Sequence, residues 1–194
     1  MTSREQILAN VKANQPALHP LPEQFRFTSV FPDIVQQFMD ILAFVGGKAE
    51  RVSDYEAIKK HIQEYYPGMT NVATTIPELA SLADTTLAVT DPHDLASLNL
   101  AIIEGQLAVA ENGAIWLDER QLPQRVTPMI TQYLAIVIRE STLVPNMHDA
   151  YQRITVNTTG FGTFLSGPSK TADIEQSLVI GAHGARSLIV YMLP

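Results

Sequence analysis

Ser166-Gly167-Pro168-Ser169-Lys170-Thr171-Ala172-Asp173-Ile174-Glu175 follows directly on an apolar run, and Val179-Ile180-Gly181-Ala182-His183-Gly184-Ala185-Arg186 comes soon after it. Together they gather hydroxyls, a lysine, two carboxylates and a histidine. Backbone amides around Gly167, Ser169 and Thr171, followed by a helix start, would make an anion site, and Lys170 adds charge. The same stretch also reads as a capped turn, with Thr171 as N-cap and Ile174 and Leu178 in the core. His183, between Gly181 and Gly184, fits a tight turn that sets the imidazole against a ligand as general acid or base, or against backbone. A matching interruption occurs at Ala108-Val109-Ala110-Glu111-Asn112-Gly113-Ala114-Ile115-Trp116-Leu117. If Ala108 to Ala110 ends a buried strand, Glu111 emerges at its tip partly desolvated, which raises its pKa and strengthens it as base or nucleophile. Gly113 admits a ligand close to the backbone. Asn112-Gly113 is equally the favoured two-residue hairpin turn.

Other fragments fail their tests. Gly-Pro-Ser-Lys-Thr lacks the first glycine of a phosphate-binding P-loop, and Pro168-Ser169 intervenes. Gly160-Phe161-Gly162 precedes a strand, whereas a dinucleotide fingerprint follows one. Asp91-Pro92-His93-Asp94 and His148-Asp149 have no spacing that demands a metal, so none is expected. Arg120 and Arg125 flank a Gln- and Pro-containing segment, and either could fork onto a substrate carboxylate.

The composition narrows the classes. The chain of 194 residues has a net charge of −7, which argues against a general nucleic-acid binder. Its apolar fraction of 46% is ordinary for a globular protein. It has no cysteine, so disulfides and thiolate-held zinc or iron–sulfur clusters on this chain are excluded. The start carries polar residues where a signal peptide needs an apolar core. No apolar run approaches the roughly 20 residues of a membrane span. A cytoplasmic location is expected.

These residues need elements to position them. Ser3 to Gln6 fits a capping box opening a helix to about Asn14. Pro16, Pro20 and Pro22 then mark an extended linker, so residues 1–28 read as a helical arm and Pro-rich linker, and 29–194 as the main domain. Ile34, Val35, Phe38, Ile41, Leu42 and Val45 recur at helical spacing, and Gly46-Gly47 ends that helix. Strands at 48–52, 71–74 and 86–90 alternate with helices at 55–66, opened by a capping box from Ser53, and 77–83. That alternation is the mark of an α/β fold with a mostly parallel sheet. The apolar runs 98–103, 107–110 and 114–117 are too close for helical crossovers and predict locally antiparallel or bent strands. A helix or turn at 124–131, a strand at 134–138, a helix at 146–154, a strand at 163–165, a helical stretch near 172–178 and a last strand at 188–192 follow.

Taken in order, the two motif regions resemble the lactate-utilisation protein C family, whose unit is the LUD domain, formerly a domain of unknown function. Family members read Ala-Glu-Thr-Gly-Thr in the middle, then Gly-Pro-Ser-Arg-Thr-Ala-Asp-Ile-Glu and Gly-Val-His-Gly-Pro near the end. Asn112, Lys170 and Ala185 depart from that pattern. The resemblance is strong over roughly Leu98 to Pro194 and weak before it. It implies residues 29–194 are a LUD domain. It also implies a three-layer α/β/α sandwich like the glucosamine-6-phosphate isomerase, ribose-5-phosphate isomerase and CoA-transferase superfamily. A role in oxidising L-lactate to pyruvate with iron–sulfur partner proteins is implied too, the partners carrying the redox centres that this chain lacks. Glu111-Asn112-Gly113 is similar to the motif in which CoA-transferases place a nucleophilic glutamate.

Three functions remain open from the sequence. In the first, the chain is an accessory or ligand-binding subunit of a lactate-oxidising system. Glu111 and His183 then serve as catalytic candidates, and Asn112, Gly113, Arg125, Gly167, Ser169, Lys170, Thr171, Asp173 and Glu175 bind a small carboxylate or phosphate. In the second, it is a stand-alone CoA-transferase-like or sugar-phosphate-isomerase-like enzyme using Glu111. In the third, it is a non-catalytic assembly module. No cofactor is expected on the chain itself.

Overall fold

The computed structural model describes residues 2–20, 31–155, 160–172, 178–181 and 183–194. Five strands make the central sheet: β1 (Lys48–Arg51), β2 (Val72–Thr74), β3 (Leu100–Glu104), β6 (Tyr133–Arg139) and β11 (Ser187–Leu193). Their order is β1-β11-β6-β3-β2, and every pairing is parallel. The near-continuous apolar runs of β3, β6 and β11 suit a sheet covered on both faces. Successive residues alternate between those faces. Leu100 and Ile102 pack with Ile58 and Ile62 of α3 (Tyr55–Tyr65) and with Leu79. Ala101 and Ile103 pack on the other side with Phe38 and Leu42 of α2 (Ile34–Phe44).

That second face is shared. A four-stranded sheet, ordered β7-β4-β5-β8, lies beside α2, built from β4 (Leu107–Val109), β5 (Ala114–Asp118), β7 (Leu143–Val144) and β8 (Gly162–Leu165). Ala108, Ile115 and Leu117 face the central sheet, whereas Leu107, Val109, Trp116 and Val144 face Ala150 of α5 (Met147–Arg153). The layered α/β architecture is as expected, except that one outer layer is part helix and part sheet. The reason lies in the short gaps. Four residues join β4 to β5, which permits only the antiparallel hairpin that forms.

Several local readings shift. The first helix, α1 (Ser3–Ala13), is capped by Thr2 with Glu5 reaching back, one residue before the expected box. Asp54, not Ser53, caps α3 by accepting from the Ala57 amide. Residues 86–90 are irregular, not a strand. There the Thr86 hydroxyl takes the Ala88 amide and the Gln124 side chain takes the Val89 carbonyl, local bonds that displace a ladder. The short helices at Pro77–Leu82 and Pro92–Leu95 are 3₁₀. A short α4 (Thr127–Ile130) precedes β6. The helical stretch expected near 172–178 is replaced at both ends by a hairpin. In it β9 (Lys170–Ala172) pairs antiparallel with β10 (Leu178–Ile180), and 173–177 lie outside the described residues.

Candidate functional site

The two motif regions meet at the carboxyl end of α2. Gly46, at φ +87°, turns the chain from α2 into β1, so this is also the amino edge of the central sheet. Gly113, at φ +67°, closes the β4–β5 turn, and a Cβ there would touch the Leu42 backbone at 3.4 Å. Gly167, at φ +74°, sits closer still: a Cβ would stand 2.7 Å from the Val45 carbonyl oxygen. Both positions take the left-handed conformation that favours glycine, and at Gly167 the missing side chain is needed as well. The Ser166 hydroxyl donates to the Asn112 carbonyl at 2.8 Å, tying one motif to the other.

Ser169 stitches the tail to itself. Its amide donates to the Ala185 carbonyl at 2.9 Å, and its carbonyl accepts from the Gly181 amide at 3.0 Å. Gly184 lies against the Ser169 side chain, where a Cβ would come within 3.0 Å. These segments wall a cleft of about 260 Å³ at the amino ends of β6 and β11. Met129, Leu134, Phe164 and Pro168 give it apolar walls, and Ser166, Ser169 and His183 give it polar points. A cleft with an apolar wall and a few convergent polar groups is a common form of small-molecule site. His183 is exposed at its rim.

Several expected site residues stand elsewhere. Glu111 is exposed, so the desolvated carboxylate expected at the strand tip is not what forms. Its Oε2 accepts the Met147 amide at 3.0 Å, at the amino end of α5, where a negative charge is favourable. Glu111 does not line the cleft, and neither does Lys170. The Lys170 ammonium donates to the Val45 carbonyl, the C-cap of α2, so its charge satisfies a helix end. Thr171 lies in β9 and is no helix N-cap, so the expected helix-terminus anion site is not built from it. Arg125 forms an ion pair with Glu119 at 2.5 Å and lies over Phe161. Arg120 spends its fork on Asp118, with Nη2 2.5 Å from Oδ2. Asp173 and Glu175 lie outside the described residues. His93 pairs with Asp91, and no group of three or more His, Cys, Asp or Glu among the described residues is placed to hold a metal.

The motif reading missed a larger cavity at the opposite edge of the sheet. About 490 Å³ opens at the carboxyl ends of β2 and β3, lined by Thr74, Thr75, Glu104, Glu119, Arg120 and Gln121 among others. One signal could have found it. In parallel sheets ligands gather at the carboxyl ends of strands, and Glu104-Gly105 directly follows the apolar run of β3.

A central parallel sheet with helices packed against it defines an α/β protein of the doubly covered kind. A family model of the LUD domain matches residues 35–193, and the chain belongs to that family. Lactate utilization protein C of Shouchella clausii is 36% identical over 92 residues, which cover 44% of this chain and 40% of that protein. The Bacillus subtilis protein of the same name is 34% identical over 93 residues, covering 44% and 38%. The matched stretch thus spans about two fifths of these curated relatives. A solved structure of a DUF162 family protein from Deinococcus radiodurans superimposes with a TM-score of 0.65 at 21% identity, covering 83% of this chain and 96% of that one. It shares the fold.

Proposed function

We propose that this chain is a ligand-binding accessory subunit of a cytoplasmic system that oxidises L-lactate to pyruvate, working with iron–sulfur partner proteins. The observation that carries this reading is the convergence of both motif regions on one end of α2, beside a cleft with His183 at its rim. The relatives are named for lactate utilization, which supports lactate as the substrate of that system. The cleft suits a small 2-hydroxy carboxylate: its apolar wall takes the methyl group, and Ser166, Ser169 and His183 offer hydrogen bonds to hydroxyl and carboxylate. The redox centres belong to the partners, because a chain with no cysteine supplies no thiolate to a cluster.

The test is an anaerobic pull-down of the tagged chain from its source cells, followed by lactate-dependent dye reduction by what is recovered. Cysteine-rich iron–sulfur proteins and lactate oxidation are expected together, with His183→Ala lowering activity and leaving recovery of the partners intact. Normal growth on lactate after deletion of the gene, with no paralogue present, sinks the reading.

The CoA-transferase alternative rests on Glu111, which in this fold is exposed and bonded to the Met147 amide. Intact-mass measurement after acyl-CoA and hydroxylamine tests it directly, and an unmodified Glu111 is the expected result.

A further inference from the structure

Helix α2 ends without a cation of its own. Its last turn carries no basic residue, although the carbonyl end of a helix is the negative end of its dipole. Lys48, three residues beyond the C-cap Val45, is turned to the Tyr65 hydroxyl. The charge comes instead from 125 residues away in the chain, where the Lys170 ammonium donates to the Val45 carbonyl. The side chain passes Gly46 on its way: a Cβ on Gly46 would stand 3.6 Å from Pro168 Cγ and 3.9 Å from Lys170 Cε. Gly167 lies against the same carbonyl, since a Cβ there would stand 2.7 Å from Val45 O and 3.4 Å from Lys170 Nζ. One carbonyl thus seats both ends of the segment from Gly167 to Lys170.

That segment is a wall of the motif cleft, which Gly167, Pro168 and Ser169 line in succession. Ser166 fastens its near end to the Asn112 carbonyl, and the Ser169 backbone fastens its middle to Ala185 and Gly181. Lys170 fastens its far end to α2. We infer that Lys170 is a positioning residue, which clamps this wall against the carboxyl end of α2 and so sets the cleft for its ligand. It stands outside the lining and touches no ligand. The inference rests on the reading of the cleft as the lactate site, and it adds to that site a residue from outside its walls. Charge matters here as well as reach. A cation suits the negative end of a helix, whereas a neutral side chain of similar length leaves the Val45 carbonyl to water. A single carbonyl demands no particular donor geometry, so Lys170→Arg should keep the clamp and Lys170→Met should lose it.

The experiment has two readouts, one on the full chain and one on the complex recovered with it. Amide hydrogen exchange is followed by NMR at Ser169 and Gly181, the two amides that tie the wall to the tail, with Val137 of β6 as a reference in the central sheet. Lys170→Met should speed exchange at Ser169 and Gly181 about threefold, the effect of one exposed charge at a helix end. It should leave Val137 unchanged and the thermal midpoint within about 3 °C of the parent. In lactate-dependent dye reduction by the complex, Lys170→Met should raise KM about threefold at unchanged kcat, because the wall holds the ligand and takes no part in the reaction. Lys170→Arg should restore both the exchange rates and KM. Four results overturn the inference: Ser169 and Gly181 exchanging as slowly in Lys170→Met as in the parent, Val137 accelerating to the same degree, a fall in kcat or an unmoved KM, or Lys170→Arg behaving like Lys170→Met. A parent complex that oxidises no lactate removes the lactate reading instead, and the exchange rates then decide for or against the clamp by themselves.

Discussion

Asp118 ends β5 with a side chain only 1% exposed, and Arg120 holds both its oxygens. Burial pushes this carboxyl up, but the bonds from Arg120 and Gln106 prevail and hold it below the usual carboxylate range. The folded value therefore lies under the unfolded one, near 3.9. Ionised Asp118 contributes stability above about pH 4, and the contribution is lost as the pH falls through the folded value. Asp118→Asn should accordingly cost stability at pH 7 and less at pH 3, read from urea denaturation at each. An equal gap at the two pH values would show that packing and not charge matters there. Removing the partner instead, by Arg120→Leu, should cost about 2 kcal/mol, in line with hydrogen bonds to a charged group. Glu111 invites a different comparison. Glu111→Ala should destabilise by about 1 kcal/mol through loss of the bond to the α5 amide, whereas Glu111→Gln keeps an accepting oxygen and should lose little. A nucleophile would be abolished by both changes, so parallel loss of lactate oxidation in the two variants would restore Glu111 to the chemistry.

Among the elements, those the sequence states clearly are the ones with a strong period and a clear stop. Helix α2 has its apolar stripe and Gly46, β6 and β11 are unbroken apolar runs, and all three form within a residue or two of expectation. The close gap at Gly113 announced the antiparallel β4–β5 hairpin correctly, whereas at Gly105 the chain passes from one sheet to the other. What misled was local polarity. Residues 86–90 look like a strand but spend their backbone on the side chains of Thr86 and Gln124, partners that composition does not reveal. Thr171 looks like a helix cap but pairs with Val179 in a ladder. The candidate cleft was legible as motifs, since Gly167, Ser169 and His183 do gather, but their docking on α2 was not, because it depends on where the Val45 carbonyl lies. Gly105 shows how tightly this part is packed. A Cβ there would lie 2.5 Å from Ile115 Cγ2 and 2.9 Å from Ile136 and Ile138 Cγ2. Gly105→Ala should thus destabilise by about 1–3 kcal/mol in chemical denaturation, because all three neighbours belong to β-branched side chains in the core. A change below about 0.5 kcal/mol would mean that the junction between the two sheets is looser than it stands here.

At the scale of the molecule, α1 differs from every other α-helix of the described residues in burying nothing. Ile7, Leu8 and Val11 are 60%, 54% and 57% exposed, although its ends are capped. Deleting residues 1–20 should leave the unfolding midpoint of the remainder within a degree or so, since no core contact is removed. If the arm holds a partner subunit, the same deletion should abolish the pull-down while leaving that midpoint intact. Loss of both would show that α1 belongs to the core after all. The helices of the described residues include none long and apolar enough to cross a membrane.

The order of the central sheet has a consequence for synthesis. Strand β1 has one neighbour, and that neighbour is β11, near the far end of the sequence: Lys48 lies opposite Ile189. While the chain is being translated, β1 therefore waits without its partner until the other strands of its sheet have been made. Insertion of β11 between β1 and β6 closes the longest loop in the sheet, the slowest kind of contact to form. In the interval the edge of β6 that will receive β11 stays open to other chains. A nascent chain stalled before Ser187 should consequently bind chaperones and aggregate, whereas release of the last strand should trigger closure of the whole sheet in one step.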